Sequence, residues 1–247
     1  MTIPLARYLH LTAENRWIRL GLLCSIPCFL VAVLGTYSRG AVVGLAVTAI
    51  ALLTKSRHRM RLALIAGLTL VAAVQFMPEH WHARIASIAD YEEDAAAQGR
   101  LEAWRYAVEV AHDSPVVGGG FNVVRAAGRD AHSIYFEALA EHGYVGLTIF
   151  LALCIGTYMT ARSIRRRAGE HPDLAWAADL ASMVQVSIVA YSFAGLFLTL
   201  ATFDLFYHLV AIVVIASKLV RQSATSGLSA ASTERAESYE RPADARA

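Results

Sequence analysis

Long apolar runs, broken only by short charged clusters, are the feature that most constrains this chain. A bilayer core of about 30 Å takes about 20 apolar residues per helix, and several runs approach or exceed that length. A water-soluble core would show amphipathic periodicity instead. Of all residues, 56% are hydrophobic and 17% charged, the latter well under the roughly 25% of an ordinary soluble domain. The chain reads as an all-α integral membrane protein with about six transmembrane helices and one large loop facing away from the cytoplasm.

The spans are expected at 18–37, 41–54, 62–76, 144–161, 180–200 and 205–220. Four segments follow: 1–76 with the first three spans, the outer loop 77–143, 144–220 with the last three spans, and a disordered tail over 221–247. The tail is rich in Ser, Ala, Glu and Arg, a composition that buries little. The start of the chain is too polar for a cleavable signal peptide, and no small-residue cleavage site follows the first apolar run. Basic residues set the orientation. Arg7, Arg16 and Arg19, the 55–61 turn, Arg162 with Arg165, Arg166 and Arg167, and Lys218 with Arg221 all fall on one side when the spans are counted. The positive-inside rule makes that side cytoplasmic, with both termini there.

Net charge is +2 without a basic face, so a nucleic-acid partner is not expected. Cys24, Cys28 and Cys154 each lie within an apolar run and read as small apolar side chains. Cys24 and Cys28 share a helix face but have no His or acidic ligands beside them, so no metal and no cofactor are expected.

The loop has its own pattern. Residues 99–112 form an amphipathic helix, with Leu101, Trp104, Val108 and Ala111 expected on one face and Asp113-Ser114-Pro115 as its stop. Gly118-Gly119-Gly120 reads as a flexible turn; it lacks the strand-then-helix setting of a nucleotide loop. A second short helix spans 132–142, capped by Asp130 and broken by Gly143.

A few polar residues in this setting bear chemistry. Arg39 lies between two apolar runs on the outer side, where it either snorkels to the interface or holds an anionic group such as a lipid phosphate. Arg100 and Arg105 are five residues apart on the loop helix, with Glu102 and Glu109 nearby. They read as solvated surface, although the planar guanidinium suits phosphate oxygens. His132 opens the second helix, and imidazole exchanges protons near neutral pH, as a general base must. A lone His is also a common structural residue. Glu137, Glu141 and His142 complete no metal-ligand pattern with it.

Three segments, in order, resemble one family. Gly35-Thr36-Tyr37-Ser38-Arg39-Gly40-Ala41 is similar to the "T-x-S-R-G-A" segment of O-antigen ligases and related polysaccharide polymerases. Gly99-Arg100-Leu101-Glu102-Ala103-Trp104 and Pro115-Val116-Val117-Gly118-Gly119-Gly120-Phe121 resemble the large periplasmic loop of that family. Ala131-His132-Ser133-Ile134-Tyr135 through Glu141-His142-Gly143-Tyr144-Val145-Gly146 resembles its "H-(N/S)-x-Y … E-x-G-x-x-G" segment, with Ser133 where Asn is frequent. The wording is nearest to the O-glycosylation ligase branch found alongside exosortase systems.

The resemblance covers roughly 20–219 and implies a bacterial inner-membrane glycosyltransferase. It would transfer a glycan from a polyprenyl-diphosphate donor to a hydroxyl on a lipid- or protein-linked acceptor, at the periplasmic face and without a metal. On that reading His132 is the base. Arg39 and Arg100 stabilise the leaving diphosphate, and Arg105 and Glu141 join them in substrate binding. The family has about twice as many spans, so the chain is expected to match its C-terminal half, the rest coming from a missing N-terminal half or a partner subunit. The readings from other classes are a transporter or flippase for lipid-linked glycans and a non-catalytic subunit of an export complex. The transporter or flippase would also want arginines near lipid phosphates, but no base at the boundary of loop and membrane.

Overall fold

The computed structural model describes residues 1–36, 39–55, 95–169, 171–199 and 203–240. Among these the chain is helix and turn, with no strand. In order come α1 (Thr2–Thr12), α2 (Arg16–Gly35), α3 (Arg39–Lys55), α4 (Ala95–Asp113), the single turn α5 (Val123–Ala126) and α6 (Ile134–Ala168). A 3₁₀ turn (Pro172–Leu174), α7 (Ala175–Ala194) and α8 (Asp204–Glu240) complete the order. Helices suit a bilayer because they satisfy every backbone polar group internally.

Among the described residues, three stretches are long and apolar enough to cross a membrane: Arg16–Val33, Ile134–Ala168 and Pro172–Ala194. In α3 the apolar part is shorter, Val43–Thr54. The expected span at 62–76 and the loop residues 77–94 lie outside the described residues. The last expected span, 205–220, falls within α8, whose backbone stays helical to Glu240, beyond the point where composition alone suggests a disordered tail. Ala, Glu, Arg and Gln are good helix formers, and extending a helix already started in the bundle avoids a second nucleation.

The bundle core lies between α6, α7 and α8. Ala161, Ala168, Ala177, Ala181 and Ala216 are buried there among Ile164, Val184, Ile188, Leu209, Val213 and Val220. Small side chains let helix backbones approach closely, the packing favoured where lipid already solvates apolar groups. α3 uses the same device: a Cβ added at Gly44 would stand 3.0 Å from the Cβ of Ala194, and one at Gly40 only 2.7 Å from that of Phe197.

α1 does not follow from hydropathy. The polar start of the chain folds as a helix between α2 and α7, and the Ser187 hydroxyl donates to the Met1 carbonyl at 2.9 Å. Tertiary packing overrides a composition that by itself suggests no buried element.

Antiparallel packing sorts the helix ends. Ile134 at the start of α6 donates its N–H to the Gly195 carbonyl, 2.8 Å away at the end of α7. The start of α3 meets the same turn through Gly40 and Phe197. The far ends therefore group together, and Lys55, Arg162, Arg165, Arg166 and Arg167 gather at the end opposite Ile134.

Candidate active site

At the Ile134 end, irregular backbone replaces regular helix. Gly143 interrupts α6 with φ 65° and ψ −168°, so the expected break is present. The Gly118–Gly120 turn docks onto this kink. Gly119 N–H donates to Ala140 O at 2.8 Å, Gly120 N–H to Glu141 O at 3.1 Å, and Tyr144 N–H to Pro115 O at 2.9 Å. Backbone freed by the kink is thus re-satisfied by the turn, as a buried break requires. At Gly118 φ is +69°, and an added Cβ would stand 2.5 Å from the Glu141 carbonyl carbon and 2.6 Å from Gly143 N. The three glycines are therefore a fitted joint. Read from sequence they look like a flexible turn, because nothing there reveals the partner backbone.

α4 leans on the same region with Trp104 and Ala111 of the expected face turned inward, but Leu101 of that face turned out and Ala103 and Ala107 buried in its place. Ala103, Ala107 and Ala111 are fully buried, whereas Leu101 is 40% exposed. The alanines admit close approach to buried Ala131 and Ala140. Trp104 closes the contact: its ring stacks on Phe136 at 4.7 Å, and its Nε1–H donates to the Ala131 carbonyl at 2.7 Å. Arg100 lies one turn before Trp104 and is half-buried, while Arg105 is exposed.

His132 follows Ala131 directly and adopts φ 44°, a conformation sparsely used by non-glycine residues and frequent at functional sites. Its Nε2 lies 3.5 Å from Asp130 Oδ2, with the two side chains 44% and 46% exposed. The His132 N–H points to Asp130 Oδ1 at 3.4 Å, and the Thr199 hydroxyl donates to the same oxygen at 3.3 Å. Asp130 therefore does not cap α6, as its position suggests; it turns toward His132 and Thr199. The residue at the N-cap is Ser133, which makes no capping bond. Its hydroxyl is buried and has no hydrogen-bond partner among the described residues.

Glu141 is buried. Its Oε1 accepts the Asn122 N–H at 2.7 Å, and its Oε2 lies 3.9 Å from His142 Nε2. Asn122 needs that support, since its φ is 59°. Beside Glu141 a polar cavity of about 20 Å³ is bounded by Asn122, Arg125, Arg129, Asp130 and Thr199, room for about one water. Arg129 lies over the Tyr106 ring at 4.7 Å. Arg125, Arg129 and Thr199 go unremarked in a sequence reading, because only the fold gathers them around the cavity between Asp130 and Glu141.

Arg39 opens α3, next to the Gly40 contact with Phe197. The 195–199 turn thus joins three things: the start of α3, the start of α6 and the Asp130 carboxylate. Arg39 and His132 are brought to one end of the bundle, and Arg100 reaches it through the Trp104 contact. Directly beneath the start of α3, an apolar cavity of about 280 Å³ is lined by residues including Phe29, Val33, Ala41, Leu45, Leu198 and Phe203.

Apolar helices of spanning length, topped at one end by an interlocked polar layer, mark a membrane protein with a candidate site at that end. The family model for O-Antigen ligase matches residues 23–151, and the chain belongs to that family. Curated proteins offer no match to the chain. The match runs from α2 into α6, so it includes Arg39, Arg100, His132 and Glu141.

Proposed function

We propose that this protein is a membrane glycosyltransferase that moves a glycan from a polyprenyl diphosphate to a hydroxyl acceptor, lipid- or protein-linked, on the side away from the cytoplasm. The observation that carries the reading is the meeting, at the end opposite the basic clusters, of the start of α3 at Arg39 with His132 and its Asp130–Thr199 support, inside a chain of the O-antigen ligase family. The positive-inside rule puts that end outward, in a bacterial inner membrane. Among family branches we favour the exosortase-associated one.

In the proposed reaction the acceptor oxygen attacks the anomeric carbon, and the bond from that carbon to the diphosphate oxygen breaks. The diphosphate leaves with the electron pair, while the hydroxyl proton passes to His132. Nε2 faces the Asp130 carboxylate at 3.5 Å, which leaves Nδ1 as the nitrogen to receive the proton. Arg39 and Arg100 stabilise the charge growing on the leaving group, and Arg105 adds a peripheral contact. Glu141 contributes through the Asn122 turn it holds. The apolar cavity below Arg39 suits the start of the polyprenyl chain.

The test is reconstitution of the active protein in liposomes with a polyprenyl-diphosphate glycan and a hydroxyl acceptor. Release of polyprenyl diphosphate in step with a new glycosidic bond supports transfer. Movement of the donor across the bilayer without bond formation points instead to a flippase, and neither event points to a non-catalytic subunit.

A further inference from the structure

The loop docked on the Gly143 kink presents its largest side chains outward. Val116 is 62% exposed, Val117 72% and Phe121 72%, and residues 115–121 carry no charge. Three neighbouring large apolar residues left open on a rigid turn call for a covering.

The adjoining helix says what covers them. Below the kink, α6 buries Phe150, Cys154, Thr157 and Ala161 against the bundle. The other side exposes Val145 at 47%, Ile149 at 64%, Ile155 at 62% and Met159 at 53%. On a helix apolar enough to span a bilayer, an open apolar side of this kind suits lipid. The loop continues it. Phe121 meets the His142 ring edge-on at 5.1 Å, and the His142 side chain lies directly over Gly146, one turn before Ile149. Pro115, next to Val116, is bound to Tyr144 at the top of the same span.

We infer that residues 115–121 form an apolar wedge seated among the acyl chains of the adjacent leaflet, with Val116, Val117 and Phe121 as its inserted side chains. The Gly118–Gly120 joint fixes the wedge to the kink. The bilayer thereby sets the height of the loop, and with it the depth of His132 above the acyl region. Apolar side chains held at the headgroup boundary anchor a protein through the area they bury there. The wedge holds whatever reaction the site performs.

Nitroxide labels test this in the full chain reconstituted in bilayers, with Cys24, Cys28 and Cys154 replaced by Ala. Labels go at Val117→Cys and Phe121→Cys, with Ile149→Cys as the lipid reference and Glu109→Cys on the exposed side of α4 as the water reference. Collision with dissolved oxygen is compared with collision with a water-soluble nickel chelate. The wedge predicts oxygen-to-nickel ratios at 117 and 121 severalfold above that at 109 and on the side of 149. Ratios at both sites matching 109 overturn it. Low collision with both reagents, the mark of a protein contact, overturns it too. The reference label at 149 reports in the same samples that the bundle is inserted.

Discussion

The two ends of the molecule are held together differently. The basic end and its adjoining core rely on side-chain packing, with Ala161, Ala177, Ala181 and Ala216 between larger aliphatic residues and few polar contacts. The His132 end relies on backbone-to-backbone bonds across non-helical turns, joined by single polar side chains: Glu141 to Asn122, Trp104 to Ala131, Thr199 to Asp130. In hydrocarbon a helix satisfies its own backbone, so only shape remains to be matched. At the surface the chain leaves helical geometry, and each freed donor or acceptor needs a specific partner. Packing therefore concentrates in one region and, on the proposed function, chemistry in the other, and substitutions should separate them.

The largest effect is expected at the polar end. His132→Ala should reduce the transfer rate by roughly 10²–10⁴-fold, the usual contribution of a general base, with folded yield nearly unchanged. The loss should fall on kcat more than on KM, as for an interaction made only in the transition state. Full specific activity in either His132→Ala or His132→Gln would remove His132 as the base. Next come Arg39→Lys and Arg100→Lys, which keep the charge but lose the planar fork. Losing one or two charge-assisted hydrogen bonds predicts roughly a 10–100-fold drop in kcat/KM. Near-normal transfer by both lysine variants would leave only general positive charge at these positions.

Two smaller effects sharpen the contrast. Gly118→Ala should destabilise the outer layer by more than about 1–2 kcal/mol. The left-handed backbone alone costs a non-glycine residue about that much, and the new Cβ also meets the Glu141–Gly143 backbone. Thermal unfolding and activity should fall together in this variant. Ala181→Leu, in the buried core, should cost about 1–3 kcal/mol by overpacking while leaving activity per folded molecule intact. Equal loss of specific activity in both would erase the distinction between the two ends.

Much of this was legible in the sequence wherever one physical cause acts alone. Apolar length marks α2, α6 and α7, and the Gly143 break shows because glycine ends a periodic run. The loop helix was visible as well, with Trp104 and Ala111 of its packed face, but one edge of that face was not: Leu101 outweighs Ala103 in hydrophobicity, whereas close packing prefers the alanine. Contacts between distant segments left no local trace. Thr199 and Asp130 are far apart in the chain, so Asp130 reads as a cap. α1 does not stand out because Thr2, Arg7, Tyr8, His10 and Thr12 interrupt its apolar residues, and the positions it buries, Pro4 and Ala6, are small.

The central claim is that the His132 end and the basic end face opposite sides of the membrane, with the chemistry outside. Labelling with a membrane-impermeant thiol reagent in intact cells tests it most directly, using single cysteines at Ala96 in α4 and at Ser56 beside Lys55, in a background without the native cysteines. The account predicts that position 96 reacts in intact cells and position 56 only after permeabilisation. Labelling at 56 with protection at 96 would contradict it and place the site in the cytoplasm.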